Sequence, residues 1–162
     1  MTVTDFERDS QIEYKLADEI KAILGQVFIQ RDIFADMFEG TDFLTFTVSP
    51  FRVGARLRRY EFYEKYPTNF TIRFSRPSGV KTEIHKIREG LVSYLFYGFM
   101  NWNESQIIQW FVGDLNLFRT REPTPKKIIP NKDGGSELAV YDLEQFPPAF
   151  VVASSGTEEA SR

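Results

Sequence analysis

The sequence predicts a single α/β domain built on a central mixed sheet, with the element order αβββαββ. Two patterns predict this class: an amphipathic helical stretch near the N-terminus, and several short segments in which apolar and polar residues alternate. A length of 162 residues fits one domain with a substantial core. We expect this domain to span residues 1–153, with a long surface loop at 121–137 and a disordered tail at 154–162.

Two stretches carry the spacing of an amphipathic helix. Within residues 5–31, apolar side chains recur every three or four positions, at Ile12, Leu16, Ile20, Ile23 and Val27. Residues 80–91 repeat the pattern with Val80, Ile84, Ile87 and Leu91. This spacing gathers the apolar side chains on one face, so each stretch is expected to cover part of the core.

Five segments before residue 113 are predicted strands. Three follow the first helix, at 42–48, 52–60 and 69–75, and they are expected to be neighbours that share an apolar face and a Thr/Ser/Arg face. Two aromatic-rich segments follow the second helix, at 93–100 and 106–112. The NWNES turn between them predicts a hairpin. Residues 138–151 are expected to add a short strand and a turn.

Composition excludes several classes of protein. The chain has no Cys, which rules out a disulfide framework, a thiol nucleophile and a Cys-ligated zinc site. A single histidine, His85, argues against a His-based metal site and against a Ser-His-Asp triad. No apolar stretch approaches the ~18 residues that a membrane span needs. We therefore expect a protein of the cytoplasm, in a bacterium or a phage-infected cell, with no membrane partner.

Charge is unevenly distributed along the chain, although the net charge is only −3. Residues 1–42 hold 4 Lys/Arg and 10 Asp/Glu, whereas residues 51–90 hold 10 Lys/Arg and 4 Asp/Glu. Strand alternation puts four arginines on one face, with two more cations at its rim: Arg52, Arg56, Arg58 and Arg73, then Arg76 and Lys81. This basic surface predicts binding to a nucleic-acid phosphate backbone, recognised by structure and not by base sequence. The alternative is a solvated sheet face whose arginines pair with nearby carboxylates.

Aromatic residues cluster beside the basic strand, at Tyr60, Phe62, Tyr63 and Tyr66. Such rings can stack on unpaired bases or cap the core at a sheet end. We favour the second interpretation.

The order of elements and the stretches GTDFLTF, VGARLRRYEFY, NFTIRFSRPSG, KTEIHKI, LFYGF and WFVGDLNLFR resemble the PD-(D/E)XK nuclease-like superfamily. That superfamily includes restriction-endonuclease-like enzymes, Holliday junction resolvases and small phage proteins. The resemblance covers about residues 10–120. It implies a restriction-endonuclease-like core in which carboxylates hold Mg²⁺, the ion activates water, and a lysine positions the nucleophile.

The resemblance also implies site residues. Asp42 fits the acidic slot at the start of a strand and Glu19 the slot on the first helix, so both are the implied metal ligands. The (D/E)-x-K slot departs from the pattern, because the next strands offer Arg56-Leu57-Arg58 and Thr71-Ile72-Arg73. Glu83 and Lys86, on the second predicted helix, could supply the missing carboxylate and amine.

Three functions remain open at this point. One is a Mg²⁺-dependent endonuclease or resolvase that cleaves DNA. Another is a catalytically degenerate relative that binds DNA or a host protein as an accessory or counter-defence factor. A virion assembly protein that uses residues 121–150 as an arm is the third. Since resolvase-like relatives commonly pair, a homodimer is compatible with the first two.

Overall fold

The computed structural model describes residues 11–12, 14–39, 51–132 and 134–156, with the backbone alone at 29–39. The predicted strand at 42–48, with its proposed metal ligand Asp42, lies outside the described residues. The same is true of most of the expected tail.

The described residues form helices, strands and two 3₁₀ turns. The helices are α1 (Ala17–Glu39), α2 (Tyr60–Lys65), α3 (Glu83–Arg88) and α4 (Leu115–Arg121). The strands are β1 (Val53–Arg58), β2 (Asn69–Ser75), β3 (Tyr94–Met100), β4 (Ile107–Asp114), β5 (Lys127–Pro130), β6 (Glu137–Asp142) and β7 (Val151–Ser154). The 3₁₀ turns are Leu143–Gln145 and Pro148–Phe150.

The strands build two sheets. A four-stranded sheet has the order β1-β3-β4-β7, and a three-stranded sheet has the order β2-β6-β5. In the first sheet β1 runs parallel to β3, while β3–β4 and β4–β7 are antiparallel. The mixed α/β class is therefore confirmed, and so is the β3–β4 hairpin.

The expectation that 52–60 and 69–75 are neighbours in one sheet is wrong. The short helix α2, in a segment predicted to be a link, turns the chain away from the four-stranded sheet. Strand β2 then pairs antiparallel with β6, whose residues come more than sixty positions later. Such long-range pairing leaves no signal in local alternation, which is the same for either sheet. The restriction-endonuclease-like core is not confirmed.

Other bounds also differ from those predicted. Helix α3 is shorter than the predicted 80–91, because Thr82 caps its start and Gly90 adopts a φ of 75° just after its end. Val80 and Leu91 are accordingly exposed, while Ile84 and Ile87 are buried. Part of the predicted loop at 121–137 is the strand β5.

The two faces of the four-stranded sheet have different coverings. One face packs against α1, where Ile20 and Val27 meet Phe96 and Val112. This confirms the apolar stripe predicted for the first helix. The opposite face carries Leu95, Tyr97, Phe99 and Phe111, which pack with residues of the three-stranded sheet and of α3 and α4. The core therefore lies in two layers, one on each side of this sheet.

Candidate nucleic-acid interface

Strand register decides where the arginines of β1 point. Arg56 lies beside Tyr97 and Arg58 lies beside Phe99 on the parallel neighbour β3. Because side chains alternate along a strand, both arginines share the face of Tyr97 and Phe99, which is turned toward the three-stranded sheet. The predicted alternation is confirmed, but this face is partly covered and not an open surface.

Glu83 joins β1 to β2 across the gap between the two sheets. Its Oε1 accepts a hydrogen bond from Nη2 of Arg56 at 2.6 Å, and its Oε2 accepts one from the backbone N–H of Arg73 at 2.8 Å. The Arg56 side chain is only 12% exposed and that of Glu83 is 43% exposed. Burial alone would raise the pKa of Glu83, but the charge of Arg56, the bond from Arg73 and the charge of Arg73 outweigh it and lower the pKa. Glu83 thus stays ionised and balances part of the basic surface.

The remaining cations of the predicted row do not line up with these arginines. Lys81 pairs with Glu89 at 2.6 Å, whereas Arg52 and Arg76 are exposed. Lys86 is exposed on α3. The predicted row on one open sheet face is therefore wrong, because its members are divided between two sheets and the segment before α3.

The proposed metal ligands are not brought together in the part of the chain that the structure describes. The Oε1 of Glu19 accepts a hydrogen bond from the backbone N–H of Ile107 at 3.1 Å, at the start of β4. Glu83 is held by Arg56 at the β1 edge of the same sheet. The described residues contain no group of three or more acidic, histidine or cysteine side chains suited to a metal ion. Within this part of the chain, Lys86 therefore has no carboxylate cluster beside it to serve.

A cleft opens beside β2, on the face that carries Asn69 and Thr71. Its volume is about 250 Å³, and it lies between β3, α2 and the three-stranded sheet. Its aromatic lining comes from two elements: Phe62 and Tyr66 from α2 and its end, then Tyr97 and Phe99 from β3. Phe62 and Tyr66 are four residues apart, so one turn of helix directs both rings to the same side.

The three-stranded sheet contributes the polar part of the lining. The register places Thr71 opposite Val140, and Val140 opposite Lys127, in one row across the sheet. All three side chains line the cleft. The hydroxyls of Thr71 and Tyr97 lie 3.3 Å apart and are buried, and Asn69 lines the cleft beside them.

Two cations lie at this cleft, each close to an aromatic ring. The guanidinium carbon of Arg58 is 3.9 Å from the centre of the Phe62 ring. The Nζ atom of Lys127 is 5.6 Å from the centre of the Tyr66 ring. A cation over a ring face is stabilised by the ring quadrupole, which holds these charges beside the aromatic lining.

The four aromatics near α2 divide between the two interpretations of the sequence. Tyr63 packs on Phe99 at 5.6 Å as part of the core, as favoured. Tyr60 packs on the exposed Trp102 at 4.5 Å. Phe62 also packs against the core, as favoured, and lines the cleft as well. Tyr66 is 46% exposed and lines the cleft.

The sequence places Lys127 in the loop at 121–137, as a mobile phosphate contact or a solubilising residue, and Tyr97 of LFYGF in the core, which is confirmed. It does not predict that Lys127, Tyr97 and Thr71 line one cleft. NFTIRFS alternates but KIIP does not, and local alternation cannot show that the two segments belong to one sheet.

Comparison with the profiles of known protein families, with curated proteins and with solved structures found no match. Within the described residues, no helix has both the length and the apolar character that a membrane crossing needs.

Proposed function

We propose that this chain is a nucleic-acid-binding protein that holds the phosphate backbone at the mouth of the cleft. The observation that carries the proposal is that Arg58 and Lys127 line the same cleft, each within 6 Å of the centre of an aromatic ring. Cations combined with ring faces suit a ligand that is both polyanionic and rich in aromatic bases. Because the net charge of the protein is −3, its attraction for a polyanion has to come from a local cluster of cations and not from the overall charge.

Cations outside the cleft support this proposal. Arg52, Arg76 and Lys86 are exposed within the basic segment 51–90. Their side chains are open to further phosphate contacts, whereas Arg56 is engaged with Glu83. Backbone contacts of this kind give affinity and register without reading bases. The proposed compartment is the cytoplasm of a bacterium or a phage-infected cell.

Binding, and not cleavage, is the activity that these contacts favour. A Mg²⁺-dependent nuclease with a restriction-endonuclease-like core would require Asp42 together with a second carboxylate. Glu19 accepts a hydrogen bond at the start of β4 and Glu83 accepts two between β1 and β2, so the described residues do not group either one with a second carboxylate. The nuclease hypothesis stays a prediction, and Mg²⁺-dependent cleavage of branched or duplex DNA that Asp42→Asn abolishes would support it.

Fluorescence anisotropy with a labelled single strand and the matching duplex tests the binding proposal. We expect affinity to fall as salt rises from about 50 to 200 mM, with a log–log slope of about −0.7 per phosphate contact on a single strand. Lys127→Gln should weaken binding and reduce that slope by about one contact.

Lys21→Gln is the matched control, because Lys21 is a 77% exposed lysine on α1 that pairs with Asp18. It should leave both affinity and slope unchanged. The proposal fails if neither strand nor duplex binds at the lowest salt, or if both lysine variants weaken binding equally. Capture of a host protein without any nucleic-acid binding would favour the accessory-factor alternative.

A further inference from the structure

We infer that the cleft accepts one unpaired nucleobase of the bound nucleic acid, so that the substrate class is a strand with an exposed base and not an uninterrupted duplex. This inference rests on the proposed function. It concerns the interior of the same cleft, whereas the proposal above concerns the cations at its mouth.

The size and the lining of the cleft fit a flat aromatic group. Its volume of about 250 Å³ is close to the lower end of the range for small-molecule sites, about 300 Å³. Aromatic rings reach the cleft from two elements. Phe62 and Tyr66 come from α2 and the residue that follows it, and Tyr97 and Phe99 come from β3. Any base offers a ring face for stacking, so these contacts do not require a particular sequence.

The polar groups of the interior are neutral. Asn69 offers an amide that both donates and accepts, and Thr71 and Tyr97 offer hydroxyls. Among the described residues that line the cleft there is no carboxylate, and the cations are those of the long side chains of Arg58 and Lys127. An uncharged ring with donors and acceptors along its edge matches this interior, while its attached phosphate matches the cations.

The hydroxyl pair points to an acceptor on the ligand. Among the described residues, the hydroxyls of Thr71 and Tyr97 hydrogen-bond to each other, at 3.3 Å, and to no other group. One hydroxyl donates in that bond, so the pair retains a second proton. The residues are 7% and 1% exposed, and a buried donor without an acceptor is costly. A carbonyl or ring nitrogen of a base can accept that proton.

A base inside a duplex cannot make these contacts, because it is stacked and paired on its edge. Extruding it requires unstacking and unpairing, and the requirement is smallest for a base that is already unpaired. The cleft therefore selects bulges, overhangs and single strands over continuous duplex.

Three DNA ligands test the inference: a blunt duplex, the same duplex with a one-nucleotide bulge, and the same bulge with an abasic sugar in place of the base. We expect the base-containing bulge to bind about 5- to 150-fold more tightly than the abasic one, as expected for one stacked base. The phosphates are identical in the two bulges, so the ratio of their dissociation constants isolates the base.

Two variants assign that ratio to the cleft. Tyr66→Ala should bring it close to one, whereas Tyr14→Ala should leave it unchanged, since Tyr14 is an 86% exposed tyrosine outside the cleft. Tyr97→Phe keeps the ring and the fold and should lower the ratio by about fivefold, as expected for one hydrogen bond. Thermal unfolding checks that each variant is folded at the assay temperature.

The outcomes separate the two proposals. Equal binding of both bulges by the wild-type protein, with Lys127-dependent and salt-dependent affinity retained, overturns the inference and leaves the proposed function intact. Loss of the base preference in Tyr14→Ala as well as in Tyr66→Ala also overturns it. Absence of binding to every DNA ligand at low salt overturns the proposed function together with the inference.

Discussion

The two faces of the three-stranded sheet differ although they are built from the same strands. One face presents Phe70, Ile72 and Tyr141 to a layer of aromatic rings. The other presents Asn69, Thr71 and Lys127 to an open cleft. Successive residues of a strand point to opposite faces, so each strand supplies both.

The packed face is closed by rings in direct contact. Phe150 is fully buried and lies 4.2 Å from Phe146 and 5.8 Å from Phe70, measured between ring centres. Gly113 leaves room for it, since a Cβ at that position would come within 2.8 Å of the Phe150 ring. A glycine is needed here by this close approach and not by its backbone angles.

The comparison predicts that the stability of the fold and the proposed binding are largely separable, with Tyr97 and Phe99 as the core residues that also line the cleft. Ring packing on one face contributes the hydrophobic stabilisation of the sheet, which allows the other face to keep a cavity and polar groups. Two carboxylates lie at the ends and edges of this sheet. Asp142 is the last residue of β6, opposite Asn69, and Glu83 accepts a hydrogen bond from the backbone N–H of Arg73 on β2.

Of the substitutions considered, removal of the Phe150 ring should reduce the stability of the fold most. We expect Phe150→Ala to lower the free energy of unfolding by about 3–5 kcal/mol, because it removes a buried ring and leaves a cavity. Chemical denaturation measures this. Phe51→Ala removes the same group from a 48% exposed position and should cost less than about 1.5 kcal/mol. Below its unfolding transition, Phe150→Ala should still bind nucleic acid, and a selective loss of binding would contradict the separation of the faces.

Asp142 should have the next largest effect. Its side chain is 8% exposed and accepts hydrogen bonds from Lys126 at 2.8 Å, from the Glu144 N–H at 3.0 Å and from Thr68 at 3.3 Å. We expect Asp142→Asn to lower stability by about 2 kcal/mol at neutral pH, since bonds to a charged acceptor are among the stronger ones.

The pH dependence of that effect has a definite sign. Burial would raise the pKa of Asp142, but its bonds to Lys126, Glu144 and Thr68 and the charge of Lys126 lower it overall. A carboxylate with a lowered pKa stabilises the fold above its unfolded value and loses that contribution as pH falls through the folded value. The difference between wild type and Asp142→Asn should therefore be constant near pH 7 and shrink below about pH 5. A difference that grows in acid would contradict this account.

Glu83→Gln should have the smallest effect on stability. It breaks the bond to Arg56, but the carboxylate is 43% exposed and water screens the pair, so we expect a loss of about 1 kcal/mol. The variant also removes a negative charge beside the basic residues. The affinity of the variant for nucleic acid should therefore rise modestly in low salt. If Glu83 were instead a metal ligand of a nuclease, the variant would lose Mg²⁺-dependent cleavage. Glu144→Gln, at an exposed carboxylate on a 3₁₀ turn, is the matched control.

Part of the fold was predictable because it depends on neighbours in sequence. The β3–β4 hairpin, the strand at 69–75 and the apolar stripe of α1 follow from alternation, helical spacing and a short turn. Helix α2 was not predicted, since YEFYEK is too short and too aromatic for a clear helical period. The candidate site was predicted only in part: Arg58 was among the proposed phosphate contacts, but Lys127 was assigned to a loop.

The sequence by itself determined the α/β class, the concentration of positive charge in residues 51–90 and the side of β1 on which its arginines lie. These follow from local periodicity and composition, which need no knowledge of the distant chain. Only the tertiary structure decided that β1 and β2 belong to different sheets, that Glu83 lies between Arg56 and Arg73, and that Lys127 lies in one row with Thr71. Each of these depends on which strands pair across long stretches of chain, and that choice is made by the packing of the whole core.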